Sequence, residues 1–415
     1  MPFLKSLRFD GLLSFPPGSE AIELTPLNVL IGPNGSGKSN LIEGIELLHA
    51  LPTGFASAIR EGGGVSEWLW KGQHPARHAG IETRIDLDRA SGHQTYAIEN
   101  ALGVNSALRL YPTDIRYRLV FAASAQRVEV VDEAIESAIK TKKGADGVFF
   151  YYRFQAGNPV INVSPPFGGK RTERVLERQT LSPDESVLSQ RKDPVSYPEL
   201  TELGRQFAQI QAFREWSFGR YSELRKPQPT DLPSDALLSD ARNLGSVLSQ
   251  LEHSGAWSEF NGYMSRFLPR FERFSVPITG GTVQFYLHEN GLKNPIPATR
   301  LSDGTLRFIA ILAQLLSPTP PPLICMEEPE LGLHPDAIAL LADLLEEASK
   351  RTQIIVTTHS DALVSALTDH ADSVLVCEYR NGTVCRRLDS SKLRFWLDKY
   401  RLGEIWRIGE IGGNL

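Results

Sequence analysis

Cysteine is scarce in this chain. Cys325, Cys377 and Cys385 are its only three, and no pair has the CxxC spacing of a zinc site or belongs to a disulfide framework. A reducing cytosol is the expected setting. Long apolar runs are missing too. No stretch approaches the roughly 18 apolar residues of a membrane span, and the opening Met1-Pro2-Phe3-Leu4-Lys5 lacks a signal peptide's apolar core. We therefore expect a soluble, cytoplasmic protein with no membrane partner. Charge of one sign is not in excess: 44 Lys and Arg against 49 Asp and Glu leave −5, which removes any global electrostatic reason to seek nucleic acid. Sustained heptads are absent, so there is no room for a long coiled-coil arm. No internal repeat is found.

What is present suits a packed globular chain: 41% hydrophobic and 22% charged residues over 415 positions. Short apolar runs at 3–9, 21–24 and 27–31 predict three strands. Leu41, Ile42, Ile45 and Leu48 then recur at helical spacing until Pro52 stops the helix. Runs at 81–87, 95–98, 117–121, 128–131 and 148–154 predict an antiparallel layer, while the Gly-, Trp- and His-rich stretch 62–80 reads as an irregular excursion. Helical spacing returns in three runs between Pro198 and Phe274. From 323 onward strand and helix alternate (323–326, 336–350, 353–357, 361–367, 373–377), for which a parallel sheet is the simplest solution.

The loop Gly32-Pro33-Asn34-Gly35-Ser36-Gly37-Lys38-Ser39 lies between a predicted strand and a predicted helix. Triphosphate oxygens need donors that approach without side chains in the way. Three glycines let the backbone curl its N–H groups inward, and the helix presents its positive end. Lys38 is placed to reach the β- and γ-phosphates, and the Ser39 hydroxyl to bind Mg²⁺. ATP and Mg²⁺ are thus the expected ligands. Downstream, Leu323-Ile324-Cys325-Met326-Glu327-Glu328 is a buried-strand pattern ending in acids, suited to one carboxylate near Mg²⁺ (Glu327) and one that polarises the attacking water (Glu328). His359, in Thr357-Thr358-His359-Ser360, sits where a strand edge can face a γ-phosphate. Leu301-Ser302-Asp303-Gly304-Thr305 precedes a helical run and offers free N–H groups as a second phosphate surface.

These four elements, in this order, resemble the ATP-binding cassette class of ATPase heads, specifically the RecF/SMC-like group with its short bacterial AAA-family relatives and the ATPase domain of OLD proteins. The resemblance implies an α/β P-loop NTPase of ABC/RecF type, a mixed sheet core with an antiparallel β subdomain and an inserted helical lobe. It divides the chain into an N-terminal ATPase half (1–180), the helical lobe (181–300), a C-terminal ATPase half (301–378) and an extension (379–415). It makes Gly32–Ser39 the Walker A motif, with Asn34, Gly35, Ser36, Gly37, Lys38, Ser39 and Asn40 around the nucleotide. Leu301–Thr305 becomes the signature, Glu327 and Glu328 the Walker B end, Leu331–Pro335 the D-loop and His359 the switch histidine. Gln190, where the strand layer gives way to the helical lobe, is preferred to Gln73 or Gln126 as the Q-loop residue. The ending Leu402–Trp406 with Gly412-Gly413 also looks like these relatives. Glu327 stands where Asp is usual, and Asp303 where transporters have Gly.

The same resemblance implies two heads sandwiching two ATP molecules, with Ser302 and Gly304 of one chain acting in trans on nucleotide held by the other. Two settings follow. In one, the homodimer holds duplex DNA in repair or genome maintenance, with candidate contacts Lys170, Arg171, Arg174 and Arg178, then Arg220, Arg225 and Lys226, then Arg266, Arg270 and Arg273. In the other, it is the regulatory ATPase of an antiphage or toxin-like system controlling a separately encoded nuclease or other effector. A slow, partner-stimulated ATPase fits both.

Overall fold

The computed structural model describes residues 2–87, 114–140, 148–155, 157–165, 171–214 and 216–413. The strand expected at 95–98 and the basic residue Lys170 lie outside them. The chain divides into two compact units, and both are discontinuous in sequence.

One unit comprises Met1–Pro26, Asn34–Ile210 and Cys377–Arg386. Its main element is an eight-stranded sheet in the order Ile22–Glu23, Leu4–Asp10, His78–Asp86, Asp114–Ser124, Arg127–Lys140, Val148–Gln155, Asn158–Val163, Thr172–Val175. All its pairings are antiparallel. A register irregularity between Leu4 and Ser6 breaks the alternation, so Leu4, Leu7 and Phe9 are all buried. The helix Lys38–Ala50 buries Leu41, Ile42, Ile45 and Leu48, one side chain per turn or nearly so. It has Gly44 where a Cβ would overlap the Phe9 ring, so this glycine sets how closely helix and sheet approach. The expected irregular stretch holds a helix, Val65–Trp68. Trp68 Nε1 donates to Ile59 O at 3.2 Å, across a Gly62-Gly63-Gly64 turn whose last two glycines have φ of 93° and 92°.

The other unit comprises Leu27–Pro33, Gln211–Val376 and Arg387–Leu415. Its sheet runs in the order Gln211–Phe213, Leu323–Glu327, Gln353–Thr357, Leu27–Ile31, Val374–Tyr379, Thr383–Arg387. The pairings among the first five strands are parallel. Leu27–Ile31 is covered on both faces and buried throughout, which is why it reads as a continuous apolar run. Its one polar side chain, Asn28, is fully satisfied. Asn28 Nδ2 donates to Ile354 O at 3.2 Å, and Asn28 Oδ1 accepts from Arg387 Nη2 at 2.6 Å. The helix Asp303–Leu315 is buried at nearly every position from Leu306 onward.

Helices Pro198–Ala208, Leu244–Glu252 and Trp257–Phe267 fall where helical spacing placed them. The region 271–297 differs from an all-helical lobe, since Phe271–Ser275, Tyr286–Glu289 and Ile296–Pro297 form a three-stranded antiparallel sheet. Left-handed Gly291 supplies the turn before Ile296–Pro297, and left-handed Gly280 and Gly281 the hairpin between Ile278–Thr279 and Thr282–Val283. The four consecutive segments expected from the sequence also differ from the two interleaved units. The physical reason is that Leu27–Ile31 forms the middle of a sheet whose other strands all come after residue 210.

Candidate functional site

The P-loop begins where the buried strand Leu27–Ile31 ends. Gly32, Gly35 and Gly37 have φ of 147°, 76° and 94°, a conformation that side chains resist and that turns successive N–H groups inward. Helix Lys38–Ala50 starts with Gly37 as its cap and carries no acid in its first turn, so its positive end is not neutralised locally. Lys38 is buried, Asn34, Gly35 and Ser39 are exposed, and Asn40 is half-buried. Thr383 Oγ1 donates to Ser36 O at 3.0 Å and lies 2.7 Å from Ser14 Oγ, bracing the loop from behind. A Cβ at Gly37 would overlap Thr383 Oγ1 and come within 2.7 Å of Ser14 Oγ. Ser36 Oγ is buried without a hydrogen-bond partner. A donor-rich cradle with one orphaned hydroxyl fits a phosphate group.

Glu327 closes the strand Leu323–Glu327, and its Oε1 accepts from Arg214 Nε at 3.3 Å. Glu328 has φ of 45°, a left-handed conformation that costs a glutamate about 1–3 kcal/mol and marks functional sites. Main-chain bonds hold it there. Glu328 N donates to Thr357 O at 3.0 Å, and Glu328 O accepts from Leu331 N at 3.0 Å. The side chain is left 43% exposed, with Oε1 3.8 Å from His359 Nε2. His359 follows Thr358, whose N–H donates to Leu30 O at 3.1 Å. The two residues assigned to the water and the γ-phosphate are therefore neighbours in this unit.

Ser302 caps the helix Asp303–Leu315, accepting from Thr305 N at 3.1 Å. A Cβ at Gly304 would stand 2.5 Å from Gly332 O, so a glycine is required here for contact with the turn Leu331-Gly332-Leu333. Arg225 holds this region from below. Its guanidinium, 6% exposed, donates to Phe218 O (2.9 Å), Ala298 O (3.0 Å), Leu301 O (2.7 Å) and Asp303 Oδ1 (2.5 Å). Arg225→Ala removes the donor to buried Phe218 O and Leu301 O and the partner of Asp303, and we expect a loss of about 3–5 kcal/mol in urea unfolding, with Arg225→Lys recovering only part of it.

The expected basic contacts divide between buried and exposed positions. Arg225 is an internal tie, and Arg171 is buried against Glu199. Arg266 and Arg270 pair with Asp343 and Glu289 at 2.8 and 3.2 Å. Gln190 closes its own loop: Oε1 accepts from Ser182 N at 2.7 Å, and Nε2 donates to Glu185 O at 3.0 Å and Ser182 O at 3.2 Å. Sequence reasoning passed over Arg214, Glu330, Ser14 and Thr383. Glu330 was legible in Glu-Glu-Pro-Glu; the others carry no local signal.

The C-terminal residues belong to the same unit as the acidic strand. Helix Leu402–Arg407 packs so closely on Asp361–Ala366, the helix after His359, that a Cβ at Gly403 would overlap Asp361 O. Gly413 comes against the start of the P-loop, with a Cβ there falling 3.4 Å from Gly32 Cα.

Residues 27–365 match the family model described as "AAA domain, putative AbiEii toxin, Type IV TA system". Over 72 residues the chain is 40% identical to the Old nuclease of Escherichia phage P2, a match covering 17% of this chain and 12% of that protein. Two solved Smc heads share the fold. The SmcHead bound to the C-winged helix domain of ScpA superposes with TM-score 0.56 at 15% identity, covering 94% of this chain and all of that one. The Smc head with an extended coiled coil bound to the C-terminal domain of ScpA, derived from Pyrococcus furiosus, gives 0.54 at 13% identity over 96% and 99%. No helix among the described residues is long and apolar enough to cross a membrane. The chain belongs to this AAA-domain family.

Proposed function

We propose that this chain binds Mg-ATP on Gly32–Ser39, hydrolyses it slowly, and works as a switch in which two copies close on two nucleotides. The observation that carries this reading is Glu328, held in a strained backbone conformation with its carboxylate exposed and opposed to His359 at 3.8 Å. Strain maintained by backbone bonds at an acidic residue is what a positioned general base requires.

Lys38 and the N–H groups of the loop bind the phosphates, and Glu328 accepts a proton from the attacking water. His359 senses the γ-phosphate. Ser39 and Glu327 would hold Mg²⁺, which neutralises phosphate charge when bound. Ser302 and Gly304 act in trans on the partner's nucleotide, and loss of the γ-phosphate separates the copies.

For what the switch controls, the first reading is duplex DNA. A second is a separately encoded effector such as a nuclease. The short stretch of likeness to a phage nuclease and the toxin-related family description favour the second, as does the internal engagement of Arg171 and Arg225. Phosphate release from Mg-ATP, measured with and without a 40-base-pair duplex (about four helical turns) at two salt concentrations, tests both levels. We expect slow release by the wild type. No release under any condition rejects hydrolysis. Release stimulated by DNA and weakened by salt supports the clamp, and indifference to DNA supports the effector reading.

A further inference from the structure

The third acid of Glu327-Glu328-Pro329-Glu330 points away from the two that precede it in role. Glu330 Oε1 accepts from Thr358 Oγ1–H at 2.5 Å and from His359 N–H at 3.4 Å. Thr358 Oγ1 accepts in turn from Ser360 N–H at 2.9 Å, and Ser360 Oγ accepts from Leu363 N–H at 3.2 Å, capping the helix Asp361–Ala366. One carboxylate oxygen thus orders the whole path from strand end to helix start on which His359 rides. On its other side, Glu330 O accepts from Leu333 N at 3.0 Å, closing the turn whose Gly332 carbonyl abuts Gly304.

We propose that Glu330 is a positioning residue for the switch histidine. Its carboxylate fixes the Thr358-His359 backbone so that the imidazole faces Glu328, and it joins that backbone to the turn packed on the signature glycine. Placement of His359 is thereby coupled to any movement of the signature. This rests on the ATPase reading for its functional consequence, although the contact itself does not.

Two features fit a geometric role over a charge role. Glu330 Oε2 is buried without a hydrogen-bond partner, so a single acceptor atom makes these contacts. Burial also raises the pKa of the carboxyl, which disfavours its charge while leaving that oxygen able to accept. Glutamine presents the same acceptor and alanine presents none.

The test compares wild type with Glu330→Gln, Glu330→Ala and Thr358→Val, the last removing the donor and leaving the carboxylate. In nucleotide-free protein, amide hydrogen exchange at residues 358–363 is expected to quicken by about tenfold or more in Glu330→Ala and Thr358→Val, and to stay near wild type in Glu330→Gln. In turnover, the two disruptive variants are expected to lose about 10- to 100-fold in kcat, with the Kd for ATP changed by less than about threefold and Glu330→Gln largely restored. Unchanged exchange in both disruptive variants overturns the proposal. So does equal impairment of Glu330→Gln and Glu330→Ala, or a loss carried by ATP binding alone. If Glu330→Ala fails to fold, Thr358→Val decides. If wild type hydrolyses nothing, the ATPase reading falls and the exchange result still judges the contact.

Discussion

Glutamine at position 328 is expected to leave ATP bound and unsplit. The left-handed backbone there is held by Thr357 O and Leu331 N, which do not involve the side chain, and glutamine tolerates that conformation no worse than glutamate. The fold and the P-loop should therefore be unaffected. What disappears is the proton acceptor. General-base catalysis contributes about 10²–10⁴-fold, so single-turnover phosphate release should fall by roughly that factor, while ATP Kd stays within about threefold of wild type. Because separation of the copies follows hydrolysis in the proposed switch, Glu328→Gln with Mg-ATP should also accumulate a species of twice the monomer mass in light scattering. Wild-type turnover in this variant would remove Glu328 from the chemistry. Slow turnover with a monomer that never doubles would remove the pairing and leave the base in place.

Gly37→Ala is the second large expected effect, and it concerns binding. At φ of 94° a Cβ costs about 1–2 kcal/mol on conformational grounds alone. It would also overlap Thr383 Oγ1 and crowd Ser14 Oγ, adding about 1–3 kcal/mol or forcing the loop to move. Since Thr383 Oγ1 donates to Ser36 O, any movement displaces the N–H groups that face phosphate. We expect ATP affinity in a fluorescent-nucleotide titration to drop by more than about 100-fold, which is about 2.7 kcal/mol, with a lowered Tm. Adding Thr383→Ala should return part of the affinity, because it removes the nearest of the overlapping atoms and leaves Thr383 Cβ, Ser14 Oγ and the backbone strain in place. Full affinity in the single variant would show that the brace does not dictate the loop.

The parts of this molecule that were legible in sequence are those whose chemistry is local. A phosphate loop needs three glycines, a lysine and a hydroxyl within eight positions, so it announces itself; the strand Gln353–Thr357 and the cap at Ser302 are short-range patterns of the same kind. Glu328 and His359 could be assigned because each lies just past the end of an apolar strand. Their mutual approach could not be read, since it depends on two strands pairing side by side. Arg214 and Thr383 act on partners more than a hundred and more than three hundred positions away, at |i−j| of 113 and 347, and nothing in their neighbourhoods marks them. Gln190 is uninformative for the opposite reason. A glutamine at the right place in the chain looks the same whether its amide faces a ligand or closes its own loop.

The central strand Leu27–Ile31 has a consequence for how the protein comes into being. Asn28 bonds Ile354 across 326 residues of chain, and the strand's other neighbour is Val374–Tyr379. A ribosome therefore releases the phosphate loop long before either flanking strand exists, and a bare run of Leu, Val and Ile must wait, exposed, while the rest is made. Pairing over such a separation is slow because loop closure precedes any reward from contacts. Nucleotide capture thus becomes a late event in maturation, so that ATP binding reports a finished sheet and not merely an intact motif.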